Sequence, residues 1–185
     1  MGDSWIGLGQ LEQASLRLSL QQCQQRRQLA QAQATPRFTG LLATAARANR
    51  LPASLLAAVA KQESRFSPGV YSGAGAVGLL QLMPETAAYL YGAPLAPGAL
   101  EEPRLNAQLG GRYLKQLLTL WDGNPQLAIA SYNAGPGAVA GWITPQMQQA
   151  PELWVEAIPY PETRLYVKKV LGNLWQFQQQ RLPEC

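Results

Sequence analysis

Apolar residues recur at a spacing of three and four along most of this chain, and almost no stretch alternates polar with apolar as a half-buried strand does. That period admits helices and little else, so the expected fold class is all-α. Residues 8–34, rich in Gln, Ala and Leu, place Leu11, Ala14 and Leu18 on one stripe of a polar helix, and Thr35-Pro36 stops it. The composition shift there divides the chain into an N-terminal helical extension, 1–35, and a domain proper, 36–185. A helix over about 38–48 carries Phe38, Leu41, Leu42 and Ala45. Pro52 opens the next, which runs to about Ser64. Pro84 starts another, with Glu85 in its first turn. The helix over about 103–121 turns Leu105, Leu109, Leu114, Leu117, Leu118 and Trp121 inward, with Gly110-Gly111 permitting close packing. Asn124-Pro125 caps and starts a helix to about Tyr132, and the Asn-Ala-Gly-Pro-Gly run at 133–137 is expected to break it. A last long helix, about 162–180, aligns Tyr166, Val170, Leu174 and Phe177.

One stripe contains an anomaly. Leu56, Val59 and Ala60 share a face with Glu63, which puts a carboxylate on the core-facing edge near a helix C-terminus. Burial and the negative end of the helix dipole both disfavour its charged form, so its pKa is expected to rise. The bland alternative is a helix-end carboxylate paired with Arg65 or Lys61.

Composition removes other chemistries. The chain contains no histidine, so Ser-His-Asp triads, Cys-His pairs and His-ligated metals are impossible within it. Nearly half of the 185 residues are apolar, enough for a core without metal or disulfide. Cys23 and Cys185 stand alone near opposite ends, and whether they pair is open. The net charge of +4 comes from scattered Lys and Arg, with Arg26-Arg27 the tightest group, so no nucleic-acid patch stands out. No apolar run is long enough to span a bilayer, and no export signal is visible.

Residues 67–83 are punctuated by Pro68, Gly69, Gly73, Gly75 and Gly78 and read as a structured loop with room for a small β element. Gly73 to Gly78 spells GxGxxG, but a helix rather than a strand precedes it and Pro84 follows, so a dinucleotide site is rejected. The glycines suit tight turns or close approach of backbone to a ligand.

The string at 62–87, QESRFSPGVYSGAGAVGLLQLMPETA, closely resembles the first signature of the soluble lytic transglycosylase family. Two further blocks resemble it in the same order: Ala130 to Gly137 (ASYNAGPG) and Ile158 to Val167 (IPYPETRLYV). Together they cover about residues 45–180. Val70 and Leu80 stand where the family often has Ala and Met, and both keep apolar character. The resemblance implies a lysozyme-like domain whose cleft binds alternating N-acetylglucosamine and N-acetylmuramic acid. It assigns Glu63 as the catalytic glutamate, Ser72 and Gln81 as polar cleft residues and Met83 as an apolar wall. Tyr132 and Asn133 then face Glu63, and Glu162 borders the site. It implies peptidoglycan glycan strands as partner, with cell-wall machinery as a further possibility, no metal or organic cofactor, and a periplasmic or cell-envelope location.

Ordinary glycosidases use two carboxylates. Here Asp3 and Asp122 are the only aspartates and neither lies in a signature block. The scarcity fits the single-glutamate scheme that the resemblance implies, in which a 1,6-anhydromuramyl product forms. Two rivals remain: a hydrolytic muramidase on the same fold, with Glu162 as the second carboxylate, and an inactive peptidoglycan-binding module.

Overall fold

The computed structural model describes residues 24–25, 38–144 and 151–179, with the side chains of the last group from 153 to 178. The N-terminal extension, its boundary at 35/36 and both cysteines therefore lie outside the described residues, except that Gln24 and Gln25 are helical.

Eight helices follow: α1 (Thr39–Ala48), α2 (Ala53–Ser64), α3 (Pro84–Tyr91), α4 (Pro103–Leu120), α5 (Pro125–Ala134), α6 (Pro136–Ala140), α7 (Pro151–Ala157) and α8 (Pro161–Gln179), with a 3-10 turn at Ala99–Glu101. No strand forms among the described residues, and the fold is all-α. From α3 onward every helix begins on a proline, whose preset φ and missing N–H suit a first turn. Two starts are also capped by side chains. Glu102 accepts from the N–H groups of Arg104 and Leu105 ahead of α4, and Asn124 accepts from Gln126 and Leu127 ahead of α5.

Two helices have no counterpart in the sequence reading. The expected break over 133–137 reduces to Gly135, at φ 83°, which turns the chain between α5 and α6. Pro136 then starts a new helix at once. Helices α6 and α7 have five and seven residues, under two turns each, too short to display a periodic stripe.

Helix α2 is central, buried continuously from Leu55 to Lys61. Helix α8 lies along it and α1 packs beside it, while α4 packs on α1 and α5. Leu56, Val59, Ile129, Val139, Val167 and Val170 are essentially inaccessible in this main core. A smaller apolar cluster joins Val77 and Leu82 of the 67–83 segment to Ala87, Leu90, Leu100 and Leu109. The small β element of that segment consists of two isolated bridges, Tyr71 with Val77 and Val77 with Leu82.

Gly110 lets the segment approach α4. A Cβ there would clash with the Leu80 side chain, so the glycine is what seats Leu80. Asn106, wholly buried one turn earlier, holds the same strip. Its Oδ1 accepts from Leu80 N–H at 2.8 Å, and its Nδ2 donates to the carbonyls of Val77 and Leu100, each at 2.9 Å. One amide thus satisfies the Leu80 N–H and the Leu100 carbonyl, which burial would otherwise leave unpaired, and adds a second donor to Val77 O, which also accepts from Leu82 N–H.

Candidate active site

Glu63 stands one residue from the end of α2. The helix stops through two successive left-handed residues, Arg65 (φ 52°) and Phe66 (φ 64°), neither of them glycine. Each such residue costs about 1–2 kcal/mol. Complete burial of the Phe66 ring recovers about 1.5–3 kcal/mol. Three hydrogen bonds contribute the rest: Arg65 N–H to Lys61 O at 3.1 Å, and Ser67 N–H to both the carbonyl and the Oγ of Ser64. Ser64 Oγ in turn donates to Leu79 O at 2.8 Å. The turn carrying Glu63 is thus tied directly to the 67–83 segment.

The carboxyl group is partly buried and meets a tyrosine from the far end of the chain. Tyr166 Oη, on the first two turns of α8, donates to Glu63 Oε1 at 2.5 Å. Burial pushes the Glu63 pKa up to about 7, and the Tyr166 hydroxyl opposes part of that rise by stabilising the charged form. Lys61, the suggested ion-pair partner, extends its Nζ to Gln176 Oε1 at 3.1 Å and lies over the Phe177 ring. Tyr132 is close enough for Glu63 to raise the pKa of its phenol, after burial the next cause, and its ring stands 5.2 Å from that of Tyr113. Two tyrosines, from α5 and α8, therefore face Glu63 at the end of α2, and Tyr113 of α4 backs the first of them.

The residues singled out in the sequence are placed as follows. Tyr132 Oη donates to Leu80 O at 2.8 Å, so its one hydroxyl proton is committed to the loop rather than to Glu63. Ser72 Oγ accepts from Ala76 N–H at 2.9 Å. Gln81, at φ 45°, uses Nε2 to bridge the carbonyls of Val70 and Gly78 at 3.0 and 2.9 Å. Both polar side chains shape the same turn from which they could meet a ligand. Met83 is exposed at the start of α3, and its large apolar side chain faces solvent. Asn133 Oδ1 accepts from Thr163 Oγ1 at 2.6 Å, which joins the end of α5 to the start of α8. Glu162 lies exposed in the first turn of α8, beside that joint.

Tyr166 is the residue that sequence reasoning assigned elsewhere. It lies in the third signature block, but its place on an apolar stripe made it look like core. The signal available was the hydroxyl itself, since a phenol on a buried stripe needs a polar partner. A cavity of about 530 Å³ also opens against α2 and α8, lined by Lys61, Gln62, Arg65, Lys169, Gly172 and Asn173; Glu63 is not among its lining residues. No cluster of three metal-ligating side chains is found among the described residues.

The family described as the transglycosylase SLT domain matches residues 40–155. The soluble lytic murein transglycosylase of Escherichia coli strain K12 is 39% identical over 128 residues, 66% of this chain and 20% of its own. The Salmonella typhimurium protein of the same name is 38% identical over 141 residues, 73% of this chain and 22% of its own. An inactive glutamate-to-glutamine mutant of lytic transglycosylase Slt from Pseudomonas aeruginosa has a TM-score of 0.74 at 31% identity. That likeness covers 94% of this chain and 33% of the other. The 70 kDa soluble lytic transglycosylase from Escherichia coli gives 0.73 at 28% identity, covering 96% and 31%. It is also known in complex with bulgecin A. The chain spans about a fifth of the length of these curated relatives.

Proposed function

This chain belongs to the transglycosylase SLT family, and from that premise we propose that it is a peptidoglycan lytic transglycosylase with Glu63 as its only catalytic acid and base. The observation that carries the reading is the state of Glu63. Its pKa of about 7 leaves a large share of the carboxyl protonated near neutrality, as a proton donor requires. Burial causes that rise, and Tyr166 opposes part of it. No aspartate lies in the three signature blocks, which supports one carboxyl acting twice, as acid and then as base.

In the first half of the reaction Glu63 gives its proton to the oxygen of the bond between N-acetylmuramic acid and N-acetylglucosamine. The C1–O bond breaks with its electron pair on the leaving oxygen, and the oxocarbenium-like centre is stabilised by the substrate's own acetamido group. In the second half the Glu63 carboxylate removes the proton from the muramyl C6 hydroxyl as O6 bonds to C1. The product is a 1,6-anhydromuramyl end, and Glu63 is protonated again without consumption of water. Ser72, Gln81, Met83, Tyr132, Asn133 and Glu162 are the proposed substrate-binding residues around this step. Gln81 supports its role with Oε1, which accepts no hydrogen bond among the described residues while Nε2 anchors the loop.

Peptidoglycan lies in the bacterial envelope, so the proposed site of action is the periplasm or cell envelope; no helix of the described residues is long and apolar enough to cross a membrane. The test is digestion of purified sacculi followed by muropeptide masses, with Glu63→Gln in parallel. Anhydro ends, lighter by one water, are expected from the wild type and none from the variant. Reducing ends would mean a muramidase, and binding without cleavage by the wild type a binding module.

A further inference from the structure

Glu63 offers two oxygens, and their surroundings differ. Oε1 accepts the Tyr166 hydroxyl at 2.5 Å. The phenol is itself buried, with 6% of its surface exposed, and its helix lies along α2 for much of its length, so it has little freedom to leave. The other tyrosine facing the carboxyl, Tyr132 on α5, donates to Leu80 O instead. Behind it stands Tyr113 of α4. On Glu63's own helix, Lys61 is drawn toward Gln176 and Phe177 of α8. The hydroxyl that donates to Glu63 among the described residues is thus neutral, and it addresses one oxygen.

We infer that Tyr166 is the positioning residue for Glu63: by donating to Oε1 it reserves Oε2 as the one oxygen through which the catalytic proton leaves and returns. The inference rests on the proposed reaction, in which a single carboxyl must be acid and then base toward atoms of the same sugar. With Oε1 held, the O–H bond that breaks in the first half is on Oε2, and the proton of the C6 hydroxyl returns to Oε2 in the second. The carboxyl need neither rotate nor exchange its proton between oxygens within a turnover. A neutral donor also suits a group that changes charge twice. It strengthens its hydrogen bond as the carboxylate develops, while a cation in its place would hold Glu63 ionised. The effect of Tyr166 passes through Glu63.

Two readouts test the role. One is the titration of the Glu63 carboxyl by carbon-13 NMR, assigned by its loss in Glu63→Gln. The other is the pH dependence of kcat/KM for glycan cleavage. Tyr166→Phe keeps the ring and removes the donor, so the Glu63 midpoint should move up and the alkaline limb of the profile should move with it. Turnover at the optimum should fall roughly ten-fold, the worth of one hydrogen bond to a charged group. Replacing Tyr166 by 3,5-difluorotyrosine, a stronger donor of nearly the same shape, should move both in the opposite direction. A midpoint unmoved by either replacement overturns the inference, even where melting temperature or turnover changes, because a packing role alone leaves the carboxyl titration where it was. If the wild type proves unable to cleave glycan, the proposed function fails, and the NMR titration still decides whether Tyr166 governs the carboxyl.

Discussion

Tyr132 and Leu80, fifty-two positions apart, are joined by a 2.8 Å hydrogen bond from the phenol to the backbone carbonyl. Leu80 is wholly buried, its N–H is taken by Asn106, and its side chain rests where Gly110 leaves room. One loop residue is therefore held from three directions, and α5 is fastened to the segment that carries Ser72, Gln81 and Met83.

Tyr132→Phe is expected to leave the Leu80 carbonyl without its partner. Stability should fall by about 1–3 kcal/mol, the cost of an unsatisfied buried acceptor, and glycan turnover should fall with it as the loop loosens. Urea unfolding alongside kcat and KM checks this. Unchanged stability with reduced turnover would place the hydroxyl on the substrate instead of the loop.

Asn106→Leu preserves approximate volume and removes three hydrogen bonds at once. The Leu80 N–H and the Leu100 carbonyl become buried without partners, while Val77 O keeps Leu82 N–H, so the loss should be about 2–6 kcal/mol. A loss below about 1 kcal/mol in denaturant unfolding would show that the segment finds other partners.

Glu63 imposes its own pH dependence on stability. It holds its proton more tightly in the folded state, at about 7 against 4.5, so the native protein carries the extra proton between those values. The stabilisation is fully present below pH 4.5 and is lost as pH rises through about 7. It amounts to on the order of 3 kcal/mol at most. In Glu63→Gln this component is absent, so stability should decline less between pH 4.5 and 7.5 than in the wild type. Parallel curves for the two proteins would mean that Glu63 is not protonated at neutrality.

Deletion of residues 1–35 should leave turnover on soluble glycan within a few-fold of the full chain. No signature block lies there, and the family match begins at residue 40. A truncated protein that folds by circular dichroism yet fails to cleave would place the extension in the active site and move the domain boundary.

Most of the helices were readable from the sequence because their signals are local. Proline starts, side-chain caps and apolar spacing each act within a few residues, which is why α1 through α5 and α8 fall close to their expected limits. The same locality put Glu63 on a buried edge at a helix end and made its raised pKa foreseeable. Helices α6 and α7 escaped because each is under two turns, too short to repeat an apolar stripe. What the tertiary structure alone decided is the pairing of polar groups. Glu63 finds Tyr166 across 103 positions, Tyr132 turns its hydroxyl to Leu80, and Asn106 spans 29 positions to reach Val77. A side chain's sequence states what it can donate or accept. Which partner it meets depends on how distant helices pack, because a buried hydroxyl or amide takes whichever group the completed core brings within reach.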